Sequence, residues 1–199
     1  LLFKGALIWV NFLQLLLVVN SKKNAVKIIG GSWKRKNIFF HDADNLRPTL
    51  SRVRETLFNW LGQDLSGKSC LDLFSGSGIL GFESLSRNAQ SCTLVDNNTP
   101  TTSVLIDNKN NLNATNALVV NSTAERFLKD NHELFDIIFV DPPFASFDVH
   151  PLLIEIKNHL SPKGIIYLEM NEPHSTNEFK ILKNSKAGKV YFYLLTLNI

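Results

Sequence analysis

Short apolar runs alternate with segments of helical spacing along most of this chain, and this alternation constrains the fold more than any other feature. Runs of this length, bounded by turn residues, are typical of strands buried on both faces of a parallel sheet, and the segments between them supply the crossover helices. The pattern predicts an α/β fold, a doubly wound sheet with right-handed crossovers and strand order 3-2-1-4-5. The strands are predicted at 69–73, 91–95, 117–120, 137–140 and 164–168. The helices are predicted at 80–87, 100–111, 124–129 and 149–159.

Two further apolar runs, 179–182 and 190–195, flank a turn that contains Gly188. Glycine at a turn between two such runs predicts an antiparallel β-hairpin. A mostly parallel, Rossmann-like sheet that is closed by an antiparallel hairpin is typical of class I S-adenosylmethionine-dependent methyltransferases. It is not typical of nicotinamide dehydrogenases.

An Asp-Pro-Pro-Phe sequence follows the fourth predicted strand. Because proline cannot donate to a strand ladder, the strand must end there, which leaves Asp141 at the sheet edge where α/β folds bind ligands. The Asp141 carboxylate and the Pro142 carbonyl could accept both N–H groups of an exocyclic base amine, and Phe144 could stack on the base for roughly 1–3 kcal/mol. We therefore predict Asp141, Pro142 and Phe144 as catalytic residues. The alternative is a proline turn in which Asp141 caps a helix.

Gly76, Gly78 and Gly81 follow the first predicted strand and fit the pattern G-x-G-x-x-G. Glycines let the backbone turn tightly and approach a ligand at a helix N-terminus, so a dinucleotide is one candidate. The position of Asp72 inside the strand, and the two residues between the strand and the first glycine, favour S-adenosylmethionine instead. Asp96, at the end of the second strand, is placed to bind ribose hydroxyls. The predicted donor-binding residues here are Asp72, Phe74, Gly76, Gly78 and Asp96.

In the predicted strand order the first and fourth strands are neighbours. The glycine loop and Asp141 therefore face one crevice at the carboxyl edge of the sheet. A methyl donor on one side and a base on the other would meet there.

The net charge of +3 is unevenly distributed. Residues 22–54 contain nine basic and two acidic side chains, whereas residues 55–199 contain eleven basic and sixteen acidic ones. A basic N-terminal β-hairpin arm on an acidic body suggests contact with nucleic-acid phosphates; the alternative is a solvated surface hairpin. We expect Arg54 to contact phosphate or an acidic neighbour such as Glu55. The predicted nucleic-acid contacts are Lys34, Arg35, Lys36, Arg47 and Arg52.

The chain divides into three predicted parts: an apolar segment at 1–23, the basic hairpin arm and a helix at 24–61, and the catalytic domain at 62–199. Fifteen of the first 19 residues are apolar, close to the length of a membrane span. We favour the interpretation that this segment is translated ahead of the native start. A membrane anchor and an extra packed helix are the alternatives.

The two cysteines, Cys70 and Cys92, fall in predicted core strands, with neither metal-ligand spacing nor a disulfide framework. This usage suits a reducing cytoplasm. We expect a cytoplasmic monomer with no metal and no stable membrane partner.

The arm at 27–36, the segment 47–61 and the two motifs stand in an order that resembles the RsmD family. The resemblance covers roughly residues 27–197. It implies S-adenosylmethionine as donor and the exocyclic N2 amine of a guanine in small-subunit (16S) ribosomal RNA as target. It also implies that Thr123 and Ala124 lie near the adenine of the donor. Two residues depart from the family pattern, since Arg35 replaces a glycine and Thr123 replaces Asp or Asn.

Two other functions remain open at this point. The Asp-Pro-Pro-aromatic sequence also fits an adenine-N6 methyltransferase acting on DNA or RNA. The second is a ribosome assembly factor that binds the donor but does not catalyse a reaction. Such a protein would also need the glycine loop and the basic arm.

Overall fold

A computed structural model describes residues 23–41, 49–143, 147–175 and 177–198. The apolar segment at 1–19 and the predicted residues Arg47 and Phe144 lie outside these ranges. Within them, no helix has the length and apolar character that a membrane span requires.

The described chain begins with an antiparallel β-hairpin, followed by a helix. The hairpin pairs β1 (Lys23–Lys27) with β2 (Asn37–His41), and the helix is α1 (Ser51–Leu61). The predicted N-terminal hairpin arm is therefore confirmed. Ile28 beside the hairpin and Leu57 of α1 are buried in the same apolar cluster as Cys70 of the central sheet. The hairpin and the helix thus share a core with the rest of the molecule, and the predicted boundary at residue 61 stays a prediction.

A seven-stranded sheet lies at the centre of the described structure. Its order is β5-β4-β3-β6-β7-β9-β8. The first five of these strands are parallel, while β9 and β8 are antiparallel. The strands are β3 (Ser69–Asp72), β4 (Ser91–Asp96), β5 (Ala117–Asn121), β6 (Phe135–Val140), β7 (Leu160–Met170), β8 (Phe179–Ala187) and β9 (Val190–Leu197). The predicted order 3-2-1-4-5 and the closing hairpin are both confirmed.

Helices cover the two faces of this sheet. They are α2 (Ile79–Ser86), α3 (Thr99–Leu112), α4 (Ala124–Asp130) and α5 (Val149–Ile156), with a 3-10 turn at Lys157–His159. The predicted last helix was therefore three residues too long. β7 also begins earlier than predicted, because a register irregularity after Phe135 lets Leu160 pair with that residue.

Two apolar clusters, one on each side of the sheet, form the core. One includes Cys70, Phe139 and Tyr167 with residues of α1, α2 and α3, and the other includes Leu71 and Ile138 with residues of α4 and α5. The alternation of Cys70 and Leu71 between the clusters is the two-residue period of a strand buried on both faces. Trp60 of α1 stacks on Phe192 of β9, with ring centroids 5.2 Å apart, which fixes α1 across the sheet.

Candidate active site

The carboxyl edge of the sheet carries a group of acidic side chains. Asp72 ends β3, Asp96 ends β4, Asp141 directly follows β6 and Glu169 lies near the end of β7. Because β3 lies between β4 and β6, the strand order brings Asp72 between the other two aspartates. The side chain of Asp72 is 2% exposed, and its Oδ2 accepts a hydrogen bond from the Gly81 N–H at 3.3 Å.

The glycine loop bends between β3 and α2 through two left-handed backbone conformations. Gly76 has φ of 49° and Gly78 has φ of 77°. The Gly76 N–H donates to Oδ2 of Asp96 at 2.9 Å. At Gly78 an added Cβ would lie 2.5 Å from Cδ2 of Leu105. The loop therefore needs glycine for its conformation at both positions, and its backbone is tied to the carboxylate that ends β4.

Phe74 lies at the start of this loop, half-buried. Its ring packs edge-on against Phe147, with centroids 5.3 Å apart. The contact joins the glycine loop to the segment that follows the Asp-Pro-Pro-Phe sequence, as expected if both motifs border one crevice.

Asp141 is half-buried in the loop after β6, and Pro142 beside it is buried. The Thr49 hydroxyl donates to Oδ2 of Asp141 at 3.3 Å. Burial raises the pKa of Asp141 to about 6, while the hydrogen bond from Thr49 acts in the opposite direction. At neutral pH the side chain is therefore mostly ionised, yet it has a higher proton affinity than an ordinary aspartate.

Asp72 lies close enough to Asp141 for the charge of Asp141 to affect its pKa. Burial raises the pKa of Asp72 to about 8, and the neighbouring charge of Asp141 is the next contribution. The two predicted motifs thus meet at one site, as the strand order predicts.

Sequence reasoning missed a fourth carboxylate at this edge, Glu169. It is 4% exposed, and its Oε1 accepts a hydrogen bond from the Tyr167 hydroxyl at 2.5 Å. Burial and the charge of Asp141 raise the pKa of Glu169 well above the ordinary range. Glu169 directly follows the apolar run 164–168, so the rule that found Asp141 at the end of its run would also have found Glu169.

Thr123 and Ala124 lie at the start of α4. Thr123 is exposed and caps the helix, since its hydroxyl accepts a hydrogen bond from the Arg126 N–H at 3.2 Å, while Ala124 is buried. Both residues follow β5, at the same edge of the sheet as Asp96.

Four of the five predicted nucleic-acid contacts are described, and all four are exposed: Lys34, Arg35, Lys36 and Arg52. Three of them lie in the turn between β1 and β2. That turn is fastened to the C-terminal end of α2, because the Ser86 hydroxyl donates to the Gly30 carbonyl at 2.6 Å and accepts from the Trp33 N–H at 2.9 Å. The exposed basic side chains are therefore presented by a fixed turn.

Of the two contacts predicted for Arg54, an acidic neighbour is confirmed and phosphate is wrong; the acid is Glu83 of α2 and not Glu55. Arg54 is 0% exposed and pairs with Glu83 of α2 at 3.3 Å. The helical period places it one turn from Leu57 and Phe58, on the face of α1 that packs against the core. A buried acid on another helix makes this position tolerable for arginine.

Within the described ranges, no group of three or more His, Cys, Asp or Glu side chains is arranged to hold a metal ion. The donor set of the site instead suits an organic cation. S-adenosylmethionine carries a sulfonium and an ammonium group, and a cluster of three aspartates beside a glycine loop would favour both. The residues present therefore fit this donor.

Comparison with known proteins identifies the family. A family model described as Conserved hypothetical protein 95 matches residues 26–196. Ribosomal RNA small subunit methyltransferase D of Escherichia coli strain K12 is 42% identical over 181 residues, which cover 88% of this chain and 91% of that protein. The chain belongs to the RsmD family. The family member from Haemophilus influenzae is 37% identical over 182 residues, covering 86% of this chain and 94% of its own length.

Solved structures agree with this assignment. The putative methyltransferase yhhF from Escherichia coli superposes with a TM-score of 0.78 at 37% identity, covering 87% of this chain and 98% of that one. The 16S rRNA N2 G1207 methyltransferase RsmC of Thermus thermophilus, solved with AdoMet and guanosine, has a TM-score of 0.67 over 89% of this chain and 50% of that one. At 22% identity this second likeness shows the fold alone. The predicted family, the class I methyltransferase fold and the enzyme class are thereby confirmed.

Proposed function

We propose that this chain transfers a methyl group from S-adenosylmethionine to the exocyclic N2 amine of a guanine in small-subunit ribosomal RNA, in the cytoplasm and as a monomer. The observation that carries the proposal is the pairing of β3 with β6, which places Asp141 and the glycine loop at the same edge of the sheet. The names of the relatives at 37–42% identity give the class of RNA.

Asp141 and Pro142 prepare the amine for attack. The lone pair of an aromatic amine is delocalised into the ring, so the amine is a poor nucleophile. Hydrogen bonds from its two N–H groups to the Asp141 carboxylate and the Pro142 carbonyl would turn the lone pair out of the ring plane. The donor supplies a methyl group bound to a positively charged sulfur. When the new N–C bond forms, the S–C bond breaks and the sulfur leaves as a neutral thioether. Positive charge develops on the nitrogen as this bond forms, and the fixed Asp141 carboxylate stabilises it. One of the two N–H protons then leaves to solvent, so that a neutral methylated amine remains.

The other residues hold the two substrates. Phe144 is proposed to stack on the guanine. The proposed donor-binding residues are Asp72, Phe74, Gly76, Gly78, Asp96, Thr123 and Ala124. The proposed RNA contacts are Lys34, Arg35, Lys36, Arg47 and Arg52.

The test is a methylation assay with radiolabelled S-adenosylmethionine and four substrates: small ribosomal subunits, naked small-subunit RNA, large-subunit RNA and duplex DNA. We expect label in N2-methylguanosine from small subunits or their RNA. Asp141→Ala should lose roughly 10²-fold or more in rate, by analogy with the loss of a group that stabilises transition-state charge. Asp130→Ala, which changes an exposed aspartate at the end of α4, is the matched control and should keep wild-type activity.

Each other outcome points to a different function. Label in N6-methyladenine would replace guanine by adenine as the target base. Full activity of Asp141→Ala would remove Asp141 from the mechanism. No label in any substrate, with donor binding intact, would favour a non-catalytic assembly factor.

A further inference from the structure

Thr49 contacts the proposed catalytic carboxylate although it belongs to neither sequence motif. Its hydroxyl donates to Oδ2 of Asp141 at 3.3 Å, across 92 positions of sequence. Thr49 is 9% exposed, so solvent competes little for this hydrogen bond. A hydrogen bond to one oxygen restrains the plane of the carboxylate, whereas a free aspartate rotates broadly about its last torsion.

A buried ionic network holds Thr49 in place. The Nε of Arg54 donates to the Thr49 carbonyl at 3.1 Å, and its Nη1 reaches the Lys27 carbonyl at 3.1 Å and Oε2 of Glu83 at 3.3 Å. Oε2 of Glu83 also accepts from the Ile29 N–H at 2.9 Å. The position of Thr49 is therefore set by groups on the hairpin arm and on α2, the helix that begins at the glycine loop.

We propose that Thr49 is a positioning residue for Asp141: its hydroxyl fixes one carboxylate oxygen and so directs the other toward the target amine. Arg54 donates to both the Lys27 carbonyl of the hairpin and the Thr49 carbonyl, and so it links the position of the hairpin arm to that of Thr49. The inference rests on the proposed function, because it takes Asp141 as the group that meets the amine.

The charged and titratable groups that face Asp141 give Thr49 a second effect. Asp72 lies on β3, and Glu169 with Tyr167 lies on β7; the charge of Asp141 raises the pKa of all three. In this acidic surrounding the Thr49 hydroxyl is a neutral donor, and its hydrogen bond favours the ionised form of Asp141. Without it, the pKa of Asp141 should rise.

Thr49→Val and Thr49→Ser test the inference in the full chain. We expect Thr49→Val to lower kcat about tenfold or more, because hydrogen bonds to charged groups are worth that much. KM for donor and RNA should stay within about twofold, and the acid limb of the kcat profile should move to higher pH. Thr49→Ser keeps the hydroxyl and should restore both kcat and the pH limb. Thr56→Val, which removes a hydroxyl bonded to the Arg52 carbonyl at 3.0 Å on α1, is the matched control.

A role in stability alone predicts a different pattern. Thr49→Val would then melt at a lower temperature but show the wild-type pH profile and kcat, and that result would overturn the inference. Equal loss in Thr49→Ser and Thr49→Val would overturn it too.

A carbon-13 NMR titration of the Asp141 carboxyl separates this inference from the proposed function. The resonance is assigned by its absence in Asp141→Asn, and its pKa should be higher in Thr49→Val than in the wild type and Thr49→Ser. If the wild type methylates no RNA but this shift is present, the proposed function fails while the contact stands. An unchanged pKa would refute the inference whatever the activity.

Discussion

Arg35 carries backbone strain in the turn between β1 and β2. Its φ is 73°, in the left-handed region, and its side chain is exposed. An L-residue with a Cβ pays roughly 1–2 kcal/mol there, which glycine avoids. This is the position at which the RsmD family usually has glycine. This strain gives a physical reason why the family has glycine at this position. In this chain the strain is the energetic cost of placing a third basic side chain between Lys34 and Lys36.

Arg35→Gly should therefore stabilise the protein by about 1 kcal/mol, part of the relief being offset by the greater freedom of glycine in the unfolded chain. Urea unfolding measures the gain, with Arg35→Ala as the control, since alanine removes the charge but keeps the strain. RNA affinity should fall in both variants if Arg35 contacts phosphate. A stability gain in Arg35→Ala as large as in Arg35→Gly would contradict the strain argument.

Binding of the donor should be coupled to the protonation state of Asp72. With a pKa of about 8, raised by burial and by Asp141, it is mostly protonated at pH 7 in the free protein. A bound cation favours the ionised form, so binding should release a proton and tighten as the pH rises toward 8. Above that pH Asp72 is already ionised and the dependence should flatten.

Calorimetric titration of S-adenosylmethionine at pH 7 in two buffers of different ionisation enthalpy checks this coupling. The binding enthalpies should differ for the wild type and agree for Asp72→Asn. Identical wild-type enthalpies in the two buffers would show that Asp72 keeps its protonation state when the donor binds.

At the scale of elements, one buried amide joins the hairpin to α3. Asn108 is 1% exposed; its Oδ1 accepts from the Phe39 N–H at 3.0 Å, and its Nδ2 donates to the Phe39 carbonyl at 2.7 Å. The Asn108 amide thus makes the two backbone hydrogen bonds with Phe39 that a neighbouring strand would make with β2. This explains why a polar residue stands on the buried face of α3, one turn from Leu105 and Leu112.

Asn108→Leu should cost roughly 0.5–1.5 kcal/mol for each of the two hydrogen bonds to Phe39 that it removes. Amide hydrogen exchange at Phe39 should accelerate, and the midpoint of urea unfolding should fall. Asn110→Leu, on the exposed face of the same helix, is the control and should change the unfolding free energy little. Slow exchange at Phe39 in Asn108→Leu would mean that the side chain does not hold the strand.

At the scale of the whole molecule, Glu83 connects the hairpin, α1 and α2. The Glu83 carboxylate is 0% exposed and binds Arg54 through one oxygen and Arg87 through the other, at 3.3 and 3.0 Å. Arg87 also lies over the Phe58 ring, 4.6 Å from its centroid. One acid thus pairs with two buried guanidinium groups, one on α1 and one directly after α2, and the Ile29 N–H beside the hairpin donates to the same acid.

Glu83→Gln should destabilise the protein by about 3–5 kcal/mol, because it leaves two buried positive charges without a counter-ion. Glu125→Gln removes an exposed acid on α4 and should stay within about 0.5 kcal/mol of the wild type. Denaturant unfolding followed by tryptophan fluorescence measures both variants. Equal stability of the two would mean that the Glu83 carboxylate does not hold the hairpin and α1 in place.

The sequence by itself determined the sheet and the acidic edge of the site. Strand order followed from the alternation of apolar runs and helices. Asp96 and Asp141 were found because each closes such a run, and Asp72 because it lies inside the run that precedes the glycine loop. Both signals are local: a strand buried on two faces is continuously apolar, and its first polar residue marks the edge where parallel strands bind ligands.

Only the tertiary structure decided which polar groups meet. Charge and helical position made Arg54 a candidate for phosphate, and only the docking of α1 on α2 showed that Glu83 neutralises it inside the core. Thr49 likewise has no local mark that connects it with Asp141, 92 positions away. A residue type fixes what it costs to bury a polar group, but its partner is set by the packing of elements that are far apart in the chain.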